Sequence, residues 1–415
     1  MTLFWKNRLF RTLALSRLLN TFGAYIYNIV FVLYAANKFQ SSWAVAAANI
    51  IMVLPTVFTL FVGIKADQTK KKARMMVVAT FIQAILFTIM AFLLQNATIV
   101  IFSIVCLINV VSDILSDYSA GLRLPILQKN IASDNLMEAY SFLQLISYIC
   151  NLLGQAVGIW LLDVTGNNYT LVALINAGTF FLSGMLLLLR RKELTHAPIE
   201  VQEDISFSEQ FRDIVASMKL IFEDGESGSF LSVLTAVLAI NALGGGLAAI
   251  YNIYFLKDSL FALPYGQAIF LVNLILAVGL IAGSLTPNDY FAKLPISKIM
   301  VLTSISFAVM ALLNVAGVPA IAGITVLAFA AYLSGKVNPK IDSLLLANTS
   351  PEMLARTNNL LSLLFTLSLP VGTIVFSSLA SFNIFLCWLV FLSVSVLSLY
   401  LSMRTRKNTV SIVES

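Results

Sequence analysis

The chain has 415 residues, of which 59% are hydrophobic and only 11% charged, and its mean hydropathy is +0.90. No soluble domain of this length could bury so much apolar surface, which excludes a water-soluble enzyme. The net charge of +6 is concentrated in short connections between long apolar runs, so it reflects membrane orientation and not a nucleic-acid-binding surface.

A run of roughly 20 apolar residues is the length needed to cross a bilayer core as a helix. Lipid offers no hydrogen bonds to a bare backbone, so each crossing must be a helix or part of a closed barrel. The runs here are far longer than the alternating strands of a barrel, of about 10 residues. The expected spans are 9–36, 43–64, 75–94, 98–120, 138–162, 170–189, 229–256, 266–286, 299–317, 319–336, 357–380 and 382–403. Lys6, Arg8 and Arg11 precede the first run. That run is too long for a signal sequence and has no small-residue cleavage site, so no cleaved leader is expected.

Span 1 carries Arg17 about eight residues in, with Asn20, Thr21, Ala24 and Asn28 rising along one face. Span 2 ends in a basic loop with Gly63, Lys65, Asp67, Lys70, Lys71, Lys72 and Arg74. Span 4 places Asn109, Asp113 and Asp117 at four-residue steps, hence on one helix face. Span 5 aligns Gln144, Tyr148, Asn151 and Gln155. Residues 191–228 interrupt the apolar pattern with a polar, acidic linker. Within it, 206–222 has helical apolar spacing and is expected to form an amphipathic helix along the membrane surface. Span 7 follows with Asn241, Gly244, Gly245, Gly246 and Asn252.

Lysine and arginine counts in short loops set orientation. Basic residues cluster after spans 2, 6, 8 and 12, whereas the opposite side has only Lys38 and Lys257. Both termini are therefore expected in the cytoplasm. The three cysteines, Cys106, Cys150 and Cys387, all fall within spans and make no disulfide set or metal cluster. The single histidine, His196, stands alone in the linker. Neither metal chemistry nor triad hydrolysis has a residue basis, and no cofactor is expected. The triple glycine lacks the lysine and the strand–helix context of a phosphate loop, so ATP hydrolysis is unsupported.

The linker divides the chain into 1–190 and 229–415, and the two parts resemble each other. Pro125 to Gly158 and Pro339 to Gly372 are both 33 positions apart, at equivalent places after spans 4 and 10. A duplicated half related by an axis normal to the membrane is one way in which transporters are built.

The stretch GIKADQTKKKAR resembles the loop motif of the major facilitator superfamily, with Gly63, Asp67, Lys70, Lys71 and Lys72 in place. It departs from that motif at Gln68, where a basic residue is usual. LLGQAVGIWLL at the end of span 5 is similar to the antiporter motif through Gly154 and Gly158, with Gln155 replacing the usual proline. Residues 338–380, with a Pro-Glu-x-Leu-x-Arg run before Leu-Pro-x-Gly, look like the macrolide-efflux branch of drug:proton antiporters. The resemblance implies an all-α integral membrane fold, with twelve transmembrane helices in two six-helix bundles. It implies a secondary active transporter that exports an amphipathic small molecule in exchange for protons by alternating access. Substrate, protons and membrane lipids are the expected partners. The expected setting is a bacterial cell membrane, and a monomer is expected.

Charges at membrane depth are costly and usually functional. At about 1.5 Å per residue, Arg17 lies roughly 12 Å above the start of its span and Asp113 roughly 10 Å above the end of its own. The depths match, so Arg17 is expected to pair with Asp113, Asp117 or both. Two readings of this trio remain: a site that takes and releases the coupling proton, or a permanent ion bridge between spans 1 and 4. Asn20, Thr21, Asn28, Asn109, Gln144, Tyr148, Asn151, Asn241 and Asn252 are the expected cavity lining; the alternative is hydrogen bonding between helices. Gly63, Asp67 and Lys71 are the expected conformational latch, as the resemblance implies, and Gly154 and Gly158 the antiporter-motif helix. Two other functions stay open: a carrier or exporter of a lipid, peptide or metabolite, and a non-transporting receptor on a transporter fold.

The topology has a direct check. Cysteines introduced singly at Gln68 and Asn167 are expected to react with an impermeant thiol reagent from opposite sides of the membrane. Labelling from one side only would mean that the span count is wrong.

Overall fold

A computed structural model of the protein describes residues 2–195, 230–286, 289–348 and 351–410. The regular structure among these residues is helical throughout. A short α1 (Thr2–Lys6) precedes six long helices: α2 (Arg8–Phe39), α3 (Ser42–Asp67), α4 (Lys72–Leu93), α5 (Ile99–Asn130), α6 (Ser133–Val164) and α7 (Tyr169–Leu189). Six more follow: α8 (Phe230–Tyr254), α9 (Tyr265–Leu285), α10 (Ile296–Val315), α11 (Ala320–Asn348), α12 (Pro351–Phe382) and α13 (Ile384–Val410). The twelve long helices, α2 to α13, are each long and apolar enough to cross a bilayer. The expected linker helix 206–222, and His196, lie outside the described residues.

The helices begin and end where local chemistry allows. Asn7 caps α2 by accepting the Phe10 amide at 3.0 Å, and Asn383 caps α13 by accepting the Leu386 amide at 3.0 Å. Gly317 sits at φ +69° in the tight connection from α10 to α11, a left-handed conformation that a residue without Cβ takes up at little cost. Four helices run well past the expected span ends. The expected 98–120 continues to Asn130 and carries Pro125 within it, because Leu122, Ile126 and Leu127 keep one face in the core. Its neighbour α6 starts at Ser133, α11 runs on to Asn348 and α12 starts at Pro351. With Gln155 where the antiporter motif has proline, α6 is a single uninterrupted helix.

The chain forms two compact units, Met1–Gln202 and Glu203–Ser415. Within the first, the main contacts are α2 with α6 and α7, α4 with α5 and α7, and α3 with α5. Within the second, the corresponding pairs recur: α8 with α12 and α13, α10 with α11 and α13, and α9 with α11. Side chains repeat the correspondence. The Ser183 hydroxyl on α7 donates to the Ser16 carbonyl on α2 at 3.1 Å, and Ser398 on α13 donates to the Ala236 carbonyl on α8 at 3.4 Å. The alternation of buried and half-buried positions over 21–30 is identical, residue by residue, to that over 241–250.

Contact between α2 and α6 is backbone-close. A methyl group added to Gly158 would stand 2.6 Å from the Ile26 carbonyl oxygen, and one added to Gly154 would stand 2.7 Å from the Tyr25 Cβ. Small residues of this kind let membrane helices approach closely. Beyond this contact, α2 buries Tyr27, Phe31 and Tyr34 against an aromatic layer that includes Phe87 and Tyr169, with Tyr27 and Phe87 edge-on at 4.9 Å. Tyr251, Trp388 and Phe391 build the equivalent layer in the second unit.

Gly158→Val forces α6 away from α2. Overpacking of this kind usually costs about 1–3 kcal/mol, so Tm in detergent is expected to fall by several degrees. Gly178→Val, at a position with open space around its Cα, is the control and is expected to leave Tm unchanged.

Candidate functional site

Four charged side chains lie deep in the spans of the first unit: Arg17 on α2, and Asp113, Asp117 and Arg123 on α5. The depth-matched pair expected between Arg17 and Asp113 does not form. Arg17 turns to α6, where its Nη2 donates to the Ser147 hydroxyl at 2.8 Å. Asp117 turns to α3 and accepts the Thr59 hydroxyl at 3.0 Å. Asp113 is half-buried and makes no hydrogen bond or ion pair among the described residues. Rise along a helix sets depth but not azimuth, and the azimuths of Arg17 and the two acids diverge.

The register of α5 is held from α4. Gln83 is fully buried, and its amide nitrogen donates to the Ser112 carbonyl at 2.9 Å and to the Ser116 hydroxyl at 2.8 Å. These two serines flank Asp113, so Gln83 fixes the turn that presents it. Sequence reading passed over Gln83; a glutamine in the middle of an apolar span was the available signal.

The expected cavity residues divide by exposure. Arg17, Asn20, Thr21, Ala24 and Asn28 form one half-exposed stripe along α2, and Asn241 occupies the matching half-exposed place on α8. Gln144 and Tyr148 on α6 are exposed; Asn151 and Gln155 are half-buried, with the Gln155 amide donating to Asn151 at 2.5 Å. Asn109 and Asn252 are buried in helix packing. The Asn109 amide donates to the carbonyl of Val105 on its own helix at 3.0 Å, and the Asn252 carbonyl accepts the Tyr265 hydroxyl at 2.7 Å. Neither lies on an open face.

At the end of α3, Asp67 and Lys71 are exposed, and a side chain at Gly63 would meet nothing within 4 Å. The buried member of the group is Lys72, 2% exposed, whose ammonium donates to the Ala66 carbonyl at 2.6 Å and the Asp67 carbonyl at 2.9 Å. A cation on the free carbonyls at a helix C-terminus satisfies orphan acceptors and opposes the negative end of the dipole. Close backbone approach occurs at Gly121 on α5, where an added methyl would stand 2.8 Å from the Ala66 Cβ.

The second unit meets the same need with a different lysine. Lys336 on α11, 4% exposed, donates to the carbonyls of Gly283 at 3.1 Å and Thr286 at 2.8 Å, at the C-terminus of α9. It also pairs with the Asp289 carboxylate at 2.9 Å. Burial works against charge on Asp289. The Ala292 amide, the Lys336 ammonium and the Thr286 hydroxyl outweigh it and hold the carboxyl below its ordinary value.

Twelve spans in two units with one pairing pattern, and charges confined to a few deep positions, define a polytopic membrane transporter. The sequence matches the family model described as Major Facilitator Superfamily over residues 13–373, and the chain belongs to that family. No curated protein matches the sequence. Solved structures share the fold at low identity. A nucleoside transporter, NupG, is 16% identical with a TM-score of 0.66, over 96% of this chain and 99% of that one. A bacterial homolog of the human lysosomal transporter Spinster is 13% identical with a TM-score of 0.66, covering 98% of each chain. The POT family transporter PepTSo is 12% identical with a TM-score of 0.66, over 97% of this chain and 98% of that one.

Lys336→Met removes the cation from both the α9 carbonyls and Asp289, and is expected to lower Tm more than Asp289→Asn, which leaves the carbonyl bonds intact. A carboxyl with a depressed folded value stabilises the protein above its unfolded value, about 3.9 for aspartate, and loses that stabilisation as pH falls through the folded one. The Tm gap between wild type and Asp289→Asn is therefore expected to hold from pH 7 to pH 5 and to close only below about pH 4.

Proposed function

We propose that this transporter is a proton-coupled exporter of an amphipathic small molecule, working by alternating access, with Asp113 as the proton-carrying group. The observation that carries this reading is the isolation of Asp113. It stands at membrane depth, half-buried, in a register set by Gln83, with no cation paired to it among the described residues. A carboxyl so placed cannot serve as half of an ion bridge, and taking up and releasing a proton is the chemistry open to it. Asp117, one turn away and tied to Thr59, is a second acid that raises the cost of charging both. The half-exposed stripes on α2 and α6 are polar but mild in charge, which suits an amphipathic substrate. The macrolide-efflux assignment rests on the residue pattern of 338–380 alone. Cytoplasmic termini in a bacterial cell membrane rest on the lysine and arginine asymmetry. A monomer is part of the same reading. Asp67 would act as a latch through its place beside the Lys72 cap, with Lys72 rather than Lys71 as the anchoring cation. Gly154 and Gly158 keep α6 against the Phe22, Tyr25, Ile26 and Ile29 face of α2.

Asp113→Asn is the decisive variant. In proteoliposomes it is expected to reduce transport driven by a pH gradient to background while substrate exchange without a gradient persists. Wild-type pH dependence in Asp113→Asn would move the proton site elsewhere, with Asp117 the next acid to test.

A further inference from the structure

Arg17 and Arg123 are the deep cations of the first unit, and no carboxylate of that unit's described residues pairs with either. Arg123 on α5 is 4% exposed, and its buried Nε has no acceptor among the described residues. Arg17 on α2 is half-buried, and among the described residues its Nε also lacks an acceptor and the Ser147 hydroxyl is its one hydrogen-bond partner. The Arg17 guanidinium is close enough for its charge to act on Arg123. Around them, the Cys150 thiol donates to the Leu18 carbonyl, Glu138 accepts the Leu3 amide, and Asp113 and Asp117 interact with each other. Two like charges in a low-dielectric setting, with no counter-charge, are among the most costly arrangements a membrane protein can hold. Such a pair persists where something else supplies the negative charge. A guanidinium has a planar fork of donors that fits a carboxylate or a phosphate in two-point contact.

We propose that Arg17 and Arg123, with Ser147, form an oxyanion-binding site at the junction of α2, α5 and α6, and that the transported molecule is an amphipathic organic anion bearing a carboxylate or a phosphate-type group. This deepens the exporter reading by naming the charge of its substrate, and it rests on that reading only for the link from binding to transport. The half-exposed Arg17 is the point of entry and the buried Arg123 the deeper anchor. Asn20, on the next turn of α2 beyond Arg17, has a buried carbonyl oxygen without a donor and adds a polar neighbour to the site. The apolar body of the ligand would lie along the α2 stripe beyond it.

The test is equilibrium binding by the purified full-length protein at constant pH and ionic strength, with no gradient. Benzoate and phenylphosphonate are the probes, and benzamide is the uncharged control. At least one anion is expected to raise Tm saturably where benzamide does not, and the more effective of the two identifies carboxylate or phosphate-type chemistry. Arg123→Gln is expected to raise the Tm of anion-free protein by removing an unpaired buried cation. It is also expected to weaken anion binding by roughly 10-fold or more, the scale of a lost charged hydrogen-bond pair. Arg123→Lys, which keeps the charge but loses the fork, is expected to fall between wild type and Gln. Arg17→Gln is the second variant should Arg123→Gln not fold. Equal effects of anions and benzamide on the wild type would overturn the proposal. So would anion shifts that survive undiminished in both glutamine variants. A failure of proton coupling would leave these binding results unchanged, so the two readings are tested separately.

Discussion

A backbone in lipid has no water to bond, and the rest of this structure follows from that constraint. Helix interiors satisfy themselves, so the difficulty falls on the ends. The last carbonyls of α3 and α9 are met by buried lysines, Lys72 and Lys336. Each lysine places an ammonium among carbonyl dipoles while its stem remains in the apolar packing. Once those ends are closed, the neighbouring helices can be brought backbone-close, as at Gly121 against Ala66.

The two caps also show how the units diverged under one plan. The helix pairings correspond, and so do the serines that bridge α7 to α2 and α13 to α8. Yet the capping cation comes from the first residue of α4 in one unit and from the middle of α11 in the other. Position in the fold is retained while the residue that fills it is not. A carbonyl cluster accepts a cation from any side that can reach it, so this feature is free to drift in sequence.

This difference explains which parts of the protein could be read from its sequence. The twelve spans were legible because hydropathy over about 20 residues is a strong, additive signal. The duplication was legible from one spaced motif. Helix ends were not. Residues 121–130 and 338–348 are polar enough to look like loops, and the spans were cut short there. Cutting α5 at residue 120 left Arg123 outside the span and concealed a charge that is 4% exposed. The same limit placed Arg17 opposite Asp113: depth is arithmetic along one helix, but azimuth depends on how neighbours rotate, which is fixed by packing at Gly154, Gly158 and Gln83. The half-exposed polar stripe on α2 was legible because its residues share one face of one helix. Asn109 and Asn252 are buried in helix packing, and Asn109 shows why such positions are hard to read: an asparagine within a span is equally at home bonding a carbonyl of its own helix.

The distribution of charge separates the units in kind. Among the described residues of the second unit, charges within the apolar spans sit at the ends of those spans, as Lys298, Lys336 and Arg404 do, although α11 itself continues well past Lys336. The first unit holds two acids and two bases away from the ends of its spans, and among the described residues no acid of the four pairs with a base. Asp117 is tied toward α3, Arg17 toward α6, and Gln83 locks the helix that carries both aspartates. Pairing the four charges internally would have been the cheaper arrangement, since opposite charges in contact offset part of their desolvation. A packing that instead leaves acids and bases unpaired with one another, with Arg17 and Asp117 held by hydroxyl groups, keeps them free for charges that come and go. On the proposed reading those charges are a proton and an anionic substrate, and a bundle built only for stability would have no such requirement.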